Sequence, residues 1–228
     1  MAIKIENVVT PSPEQWEAIV RGTRNPMNSW DKSDSYKTHI EDVETLQTAE
    51  FEFFAGENDL ELMKKLAALG TDHRKFMRMI VVYADITAPM YWWKEFDTYK
   101  VGTVRNSCST MHKITEKEFT IDDFSHEHIE MLKVDSVGYY TFNYVIEDIV
   151  KSLNYAREEY LKTNDKRYWW QLIQLLPSSY NQRSTLMLNY EVLANMYHSR
   201  KNHELDEWQE FCHWIETLPH SELITGGQ

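Results

Sequence analysis

The sequence predicts a mixed, helix-rich fold of the α+β class, and three observations predict it. Eight Trp and 13 Tyr stand beside only 7 Gly and 6 Pro, a composition with too few turn residues for a turn-rich sandwich. Phe76–Ile86 (Phe-Met-Arg-Met-Ile-Val-Val-Tyr-Ala-Asp-Ile) is β-branched and almost continuously apolar, the pattern of a strand covered on both faces. Asp59–Leu69 and Tyr140–Thr163 carry apolar residues at steps of three and four, the period of amphipathic helices.

Taken in order, Ala2–Val9 reads as a first strand, with Ile3, Ile5 and Val8 as its apolar positions. Ser12-Pro13-Glu14 starts a helix, Ser as N-cap and Pro in the first turn, with Trp16, Ile19 and Val20 on one face and an end near Gly22. Thr23–Lys37, rich in Asn, Ser and Asp, reads as a loop, and the type of Ile40–Phe54 stays open. Asp59–Leu69 is a helix stopped by Gly70. After the Phe76–Ile86 strand, Thr87–Ser109 runs from a Pro break through an aromatic helical turn into small and polar residues, the way a scaffold delivers groups to a pocket. Thr115–Phe124 reads as a peripheral strand. The long Tyr140–Thr163 helix presents Phe142, Val145, Ile149, Leu153, Ala156 and Tyr160, and a further helix over Tyr168–Leu176 is halted by Pro177. Tyr180–Lys201 and Leu205–Leu218 read as two more helices, the latter with Trp208, Phe211, Cys212 and Ile215 on its apolar side.

The 228 residues fit a single domain, 1–228, large enough to bury a proper core. A formal charge of −12 argues against a protein that wraps a nucleic acid polymer, since phosphate backbones need a basic footprint, yet it leaves room for one nucleotide in a local basic pocket. Two cysteines, Cys108 and Cys212, make no disulfide framework, so a reducing cytoplasm is expected. No signal-peptide core or membrane-length apolar run is expected either.

Of the chemical motifs, His126-Glu127-His128 is a weak metal signal that a solvated loop explains better, and no metal site is expected. The Gly-rich phosphate loops and the nucleophile-elbow pattern do not occur. Met196 and Arg200 lie 7 and 11 residues beyond Asn189, which stacks the three on one helical face. An Asn and an Arg there could line a pocket that hydrogen-bonds a planar heterocycle. The plainer reading is the solvated side of an amphipathic helix.

Read together, two stretches resemble the flavin-dependent thymidylate synthase family. His73 precedes a strand that runs into Ala88-Pro89-Met90-Tyr91, and Leu176-Pro177 is followed by Asn189, Asn195 and Arg200 at the family's offsets. The resemblance covers Leu60–Thr110 and Pro177–Ile215. It implies an α+β fold with a central, mostly antiparallel sheet packed by long helices, and a homotetramer whose subunits share sites. It further implies an FAD enzyme that takes electrons from NADPH and a one-carbon unit from methylene-tetrahydrofolate and delivers it to a pyrimidine nucleotide such as dUMP. On that resemblance His73, Lys100, Asn189 and Asn195 would touch flavin. Arg200 would hold the pyrimidine and act in catalysis, and Glu95, Arg105, Asn106 and Ser109 would complete the substrate site.

The departures fall at the chemistry. Where the family has Arg-His-Arg, seven residues and then Ser, this chain has Thr98-Tyr99-Lys100, and the Ser position falls on Cys108 or, with one inserted residue, on Ser109, which also aligns Asn106. Glu95 stands for a Gln, Thr110 or Met111 and Glu191 for arginines, and Ile173 for a basic residue. Each arginine–phosphate contact contributes about 1.5–3 kcal/mol, so such losses weaken phosphate binding by orders of magnitude unless others compensate. Lys94, Arg105 and Arg183 are candidates for that, and Lys100 keeps a charge without the planar fork. A catalytically silent homologue, or an unrelated α+β interaction protein, are the alternatives that these departures raise.

Overall fold

Ser12 opens the first helix through a capping box: its hydroxyl accepts from the Gln15 amide, and the Gln15 side chain accepts from the Ser12 amide at 2.8 Å. The computed structural model describes residues 3–40, 50–134 and 138–226. Its elements are β1 (Lys4–Val9), α1 (Pro13–Arg24), β2 (Tyr36–Ile40), β3 (Glu50–Phe54), α2 (Glu57–Ala68), β4 (Val81–Pro89), α3 (Met90–Phe96), β5 (Thr103–Ser107), α4 (Thr110–Lys113), β6 (Met131–Val134), β7 (Gly138–Thr141), α5 (Phe142–Thr163), α6 (Lys166–Leu175), β8 (Asn181–Asn189), α7 (Tyr190–Arg200), α8 (Asp206–Glu216) and α9 (Glu222–Thr225). Strands β1, β4, β8 and β5 are hydrogen-bonded in that order, while β2 pairs antiparallel with β3 and β6 with β7. The α+β class therefore holds.

Contacts group the residues into two compact units. The first comprises Met1–Ile5, Ile86–Thr98 and Asn106–Ser184; the second comprises Glu6–Asp85, Tyr99–Arg105 and Thr185–Gln228.

In the first unit, Ile114, Phe119, Phe124, Ile146, Leu153, Ala156 and Leu172 form a core beneath α5 and α6. The segment read as a peripheral strand, Thr115–Phe124, is instead irregular and ends in a single 3-10 turn, Ile121–Asp123, closed by a Thr120–Asp123 capping box. Its backbone groups are taken by α5: the Asn154 amide both donates to the Phe119 carbonyl (2.9 Å) and accepts from its N–H (2.8 Å), and Arg157 Nε donates to the Thr115 carbonyl. With those groups engaged, the segment keeps one isolated antiparallel bridge, Phe124 to Tyr180, in place of a ladder. The aromatic turn is α3, with Trp92, Trp93 and Phe96 buried and ring centroids 4.8–5.3 Å apart. Its opening amides are satisfied from across the unit, Met90 N–H by the Tyr180 carbonyl and Tyr91 N–H by that of Ser178. On α5, Ile146, Leu153 and Ala156 are buried, whereas Phe142 and Val145 of the expected apolar stripe stay exposed.

In the second unit, Trp16, Ile19 and Val20 of α1 are buried as expected, and Trp16 stacks on Phe53 of β3. α2 ends at Leu69 and Gly70 takes φ +90°, the left-handed stop the sequence indicates. The continuous apolar run proves to be two elements. Lys75–Arg78 is a 3-10 turn that buries Phe76 and Met77, and β4 begins only at Val81. β4 then alternates, with Val82, Ala84 and Ile86 buried and Tyr83 exposed, so among the described residues one face is covered and not both.

The Tyr180–Lys201 helix of the sequence reading is a strand followed by a helix. Ser184, Leu186 and Leu188 are buried at every second position along β8, and Asn189 ends the strand and caps α7. The α7 face with Met196 is covered, Met196 completely, and Arg200 is half-buried, so it is not the solvated side the spacing invoked; Asn195, His198 and Ser199 are the exposed residues of the helix.

Candidate functional site

The flavin candidates of the sequence all fall in the second unit. His73 is exposed in the turn after α2, and the chain next to it is tied to α7 by Arg74. Arg74 Nη2 donates to Asn195 Oδ1 at 3.0 Å and its Nε to Glu191 Oε1 at 3.4 Å. Arg78 Nε also bonds the Glu191 carboxylate. That carboxylate is largely buried, and the Arg78 hydrogen bond holds its pKa below the usual range, with Arg74 adding to the effect. The structure thus brings the His73 segment to Asn195. It also shows what became of the charge at position 191: a carboxylate faces two arginines of the preceding turn. The sequence reading missed Arg74 and Arg78; the run of basic residues His73-Arg74-Lys75, followed by Arg78, was the signal for them.

Asn189 sits at the other end of α7. Its Oδ1 accepts from the Val192 amide at 3.0 Å, so half of the side chain is an N-cap. Its backbone N–H meets the carbonyl of Gly102. Gly102 has φ +88°, and a Cβ there would lie 2.7 Å from Asn189 Nδ2. Glycine is required on both counts. The turn that Gly102 closes carries the exposed Lys100, two residues away.

Arg200 closes α7 in a setting that only the fold creates. Its Nε donates to Tyr99 Oη at 2.9 Å, and its guanidinium lies 4.8 Å from the ring centroid of Trp208 and 5.7 Å from that of Tyr99. Tyr99, the middle residue of the altered triplet, is thereby a partner of Arg200. Trp208 was read only as core. Arg105 is half-buried on β5 in the same unit.

Glu95, Asn106 and Ser109 fall in the first unit. Glu95 is half-buried on α3, Asn106 is exposed on β5, and Ser109 caps the single turn of α4 by accepting from His112 N–H at 3.2 Å. Ser109 and Cys108 line a cleft of about 450 Å³ with Thr87, Thr110, Lys113, Lys117, Tyr180, Gln182 and Arg183, and with the carboxylates Glu116, Asp122 and Asp123. Gln182 fixes one wall: its Nε2 donates to the Cys108 carbonyl and to Thr110 Oγ1, both at 2.9 Å. Burial pushes the Tyr180 phenol up, against the neighbouring Lys117. Of the proposed compensating cations Arg183 is in this cleft, and Lys94 is exposed on α3.

Among the described residues no group of His, Cys, Asp and Glu could hold a metal ion, and no helix is long and apolar enough to cross a membrane. His126 Nδ1 meets the Phe124 carbonyl at 2.8 Å, a local loop contact.

No family model and no curated protein matches the sequence. Solved structures do. The flavin-dependent thymidylate synthase ThyX from Helicobacter pylori, complexed with FAD and dUMP, superposes with a TM-score of 0.62 at 16% identity, over 99% of this chain and 98% of that one. A second structure of Helicobacter pylori ThyX with FAD and dUMP gives 0.64 at 15%, over 99% and 97%. The UMP/dUMP methylase PolB from Streptomyces cacaoi, bound with 5-Br dUMP, gives 0.60 at 15%, over 98% and 94%. At such identities the likeness is one of architecture: this chain has the α+β fold of the flavin-dependent thymidylate synthases.

Proposed function

We infer that the protein is a divergent member of the flavin-dependent thymidylate synthase family, which binds FAD and transfers a one-carbon unit to a pyrimidine. The observation that carries this reading is the setting of α7, within a fold matched end to end by FAD-bearing structures. This one helix joins Asn189, Asn195 and Arg200 to the segments that carry His73 and Lys100.

The donor set suits a flavin. Asn189 gives its oxygen to the α7 cap and keeps its amide N–H groups for a ring carbonyl; Asn195 gives its oxygen to Arg74 and keeps the same groups. His73 and Lys100 are exposed and can meet a carbonyl or a phosphate. When bound, FAD supplies the two-electron reduction that makes a one-carbon unit from methylene-tetrahydrofolate into a methyl group, with NADPH as the electron source. Arg200, stacked on Trp208 and oriented by Tyr99, presents its guanidinium to the pyrimidine carbonyls and favours the charge that builds on the ring. By the resemblance, Glu95, Arg105, Asn106 and Ser109 are the further substrate contacts of this reading.

The chain, 1–228, acts as one functional domain in the cytoplasm and assembles as a homotetramer. Support for assembly comes from the apolar cleft of about 420 Å³ at the start of α5, lined by Phe142, Val145, Ile146, Ile149 and Pro177, since contiguous exposed apolar surface marks interaction sites. Light scattering of the purified protein checks it, and a monomer at micromolar concentration would count against it.

A second reading, a catalytically silent homologue that keeps the pocket, is favoured by one observation: Thr98-Tyr99-Lys100 replaces the signature triplet, and Tyr99 occupies Arg200 Nε. The absorbance spectrum of the purified protein tests the first reading. Flavin bands, or FAD uptake with a rise in Tm, support it. A colourless protein that FAD does not stabilise overturns it. Turnover of a pyrimidine by the FAD-loaded protein separates an active member from a silent one.

A further inference from the structure

One turn of α7 separates Glu191 from Asn195, so the two side chains leave the same face of the helix. Arg74 spans them, its Nε donating to Glu191 Oε1 at 3.4 Å and its Nη2 to Asn195 Oδ1 at 3.0 Å. Arg78 takes the rest of the carboxylate, its Nε donating to Oε2 and its Nη2 to Oε1 at 3.3 Å. The arginines come from a turn that is itself held in place. The His73 and Arg74 amides both donate to the Gly70 carbonyl, at 3.1 and 3.0 Å, and Phe76 and Met77 just beyond them are buried. All of these residues belong to the second unit.

A guanidinium carries only donors, so Asn195 can meet it only through its oxygen. That contact decides which edge of the amide is left over: the Nδ2 group, on an exposed residue and without a hydrogen bond among the described residues. An exposed asparagine lacking such a partner turns either edge outward, and a ligand must then fix one of them at an entropic loss. Arg74 avoids that loss only while it stays in place itself. The largely buried Glu191 carboxylate holds its Nε, which gives the planar fork two fixed donors on successive turns of α7. The charge is conserved as well. Two guanidiniums and one carboxylate leave a single positive charge on this face, that of the one arginine the resemblance puts at position 191.

We propose that Arg74 and Glu191 are positioning residues of the cofactor site: Glu191 anchors Arg74, and Arg74 holds the Asn195 amide with its N–H edge outward for a carbonyl of the flavin. This rests on the reading above, which puts Asn195 against FAD.

The test is FAD titration of the full-length protein, followed by flavin fluorescence well below the unfolding temperature. Arg74→Met keeps the reach of the side chain and removes its donors, and Asn195→Ala changes an exposed helix position. Each weakens FAD binding about fivefold, the effect of one hydrogen bond. The double variant binds FAD no more weakly than Asn195→Ala alone, because Arg74 acts through that amide. Additive losses, which a general loss of packing or of positive charge would give, overturn the proposal. Glu191→Gln separates anchoring from charge by sign. Removing a negative charge near an anionic cofactor tightens binding by itself, whereas a loosened Arg74 weakens it. FAD binds this variant about twofold more weakly or worse, and an affinity equal to or above the native one overturns the role of Glu191. An Asn195→Ala protein that binds FAD like the native one overturns the proposal and leaves the family reading standing. A native protein that takes up no FAD overturns that reading and the proposal with it.

Discussion

Asp59 and Arg24 form an ion pair whose side chains are 1% and 5% exposed, and the loop after α1 is folded around it. Asp59 Oδ2 accepts from the hydroxyls of Ser33 and Ser35, both at 2.7 Å, and from the amides of Asp34 and Ser35. Asp34 in turn accepts from the Asn58 and Asp59 amides at the start of α2, a helix whose Gly56 N-cap has no side chain to do so. A loop rich in Asn, Ser and Asp is thereby given one conformation by a buried acid two residues into the next helix.

Removing one partner of such a pair strands a buried charge, which typically costs about 3–5 kcal/mol. Asp59→Ala and Arg24→Ala should each lose about that much in urea denaturation, and the double variant less than their sum. Additive losses would show that the two residues act independently.

The same pair makes stability depend on pH. Burial opposes ionisation of Asp59, but the hydrogen bonds from Ser35, Ser33 and Arg24 outweigh it and hold the pKa below the ordinary carboxylate value. In acid the unfolded chain therefore takes up this proton before the folded one does. The Asp59 contribution is fully present above about pH 5 and is lost as the pH falls below about 4 toward the folded pKa. Denaturation midpoints measured from pH 6 to pH 3 should fall less steeply for Asp59→Asn than for the native protein. Parallel slopes would exclude this linkage.

Asn189 has two roles that a single substitution can separate. Asn189→Ala removes the α7 cap and should cost about 0.5–2 kcal/mol along with FAD affinity. Asn189→Asp retains an oxygen for the Val192 amide but loses the amide donors, so stability should hold while FAD affinity drops about tenfold or more. FAD titration followed by flavin fluorescence, beside thermal unfolding, reads both. Equal FAD affinity for Asn189→Asp and the native protein would remove Asn189 from the cofactor site.

At Gly102 the backbone and its neighbour set the same limit. With φ +88° and a prospective Cβ 2.7 Å from Asn189 Nδ2, Gly102→Ala should destabilise by about 1–3 kcal/mol and weaken FAD binding by displacing Asn189. A Gly102→Ala protein of native Tm is the result that would contradict this geometry.

Tyr99 and Arg200 can be separated in the same way. Tyr99→Phe keeps the ring and removes the acceptor of Arg200 Nε, which should cost about 1 kcal/mol of stability and weaken pyrimidine binding severalfold. Arg200→Lys loses the guanidinium held over the Trp208 ring and should weaken pyrimidine binding further, with a change in tryptophan fluorescence. If both variants bind the pyrimidine like the native protein, Arg200 does not touch it.

The sequence by itself determined what local rules can reach. Ser12-Pro13, with Gln15 three residues on from the Ser, determined the start of α1; Gly70 determined the stop of α2; Pro177 determined the end of α6. The offsets from Leu176-Pro177 to Arg200 were legible because a strand and a helix in series preserve spacing as well as one helix does. The strand β8 was not legible because the continuous apolar run Leu186-Met187-Leu188 fixes neither a period of two nor one of 3.6, and only neighbouring strands could decide between them. The Phe76–Ile86 run hid a 3-10 turn because apolar residues are continuous whether a turn or a strand buries them. The candidate site divides along the same line. Spacing joined Asn189 to Arg200 and the family resemblance named His73 and Asn195, but a one-dimensional string does not say which charges meet. That Arg74 and Arg78 turn to Glu191 and that Tyr99 holds Arg200 follow from contacts between residues more than 100 positions apart. Only the tertiary structure decides those, because ion pairs and hydrogen bonds depend on distances of a few ångströms that sequence separation does not encode.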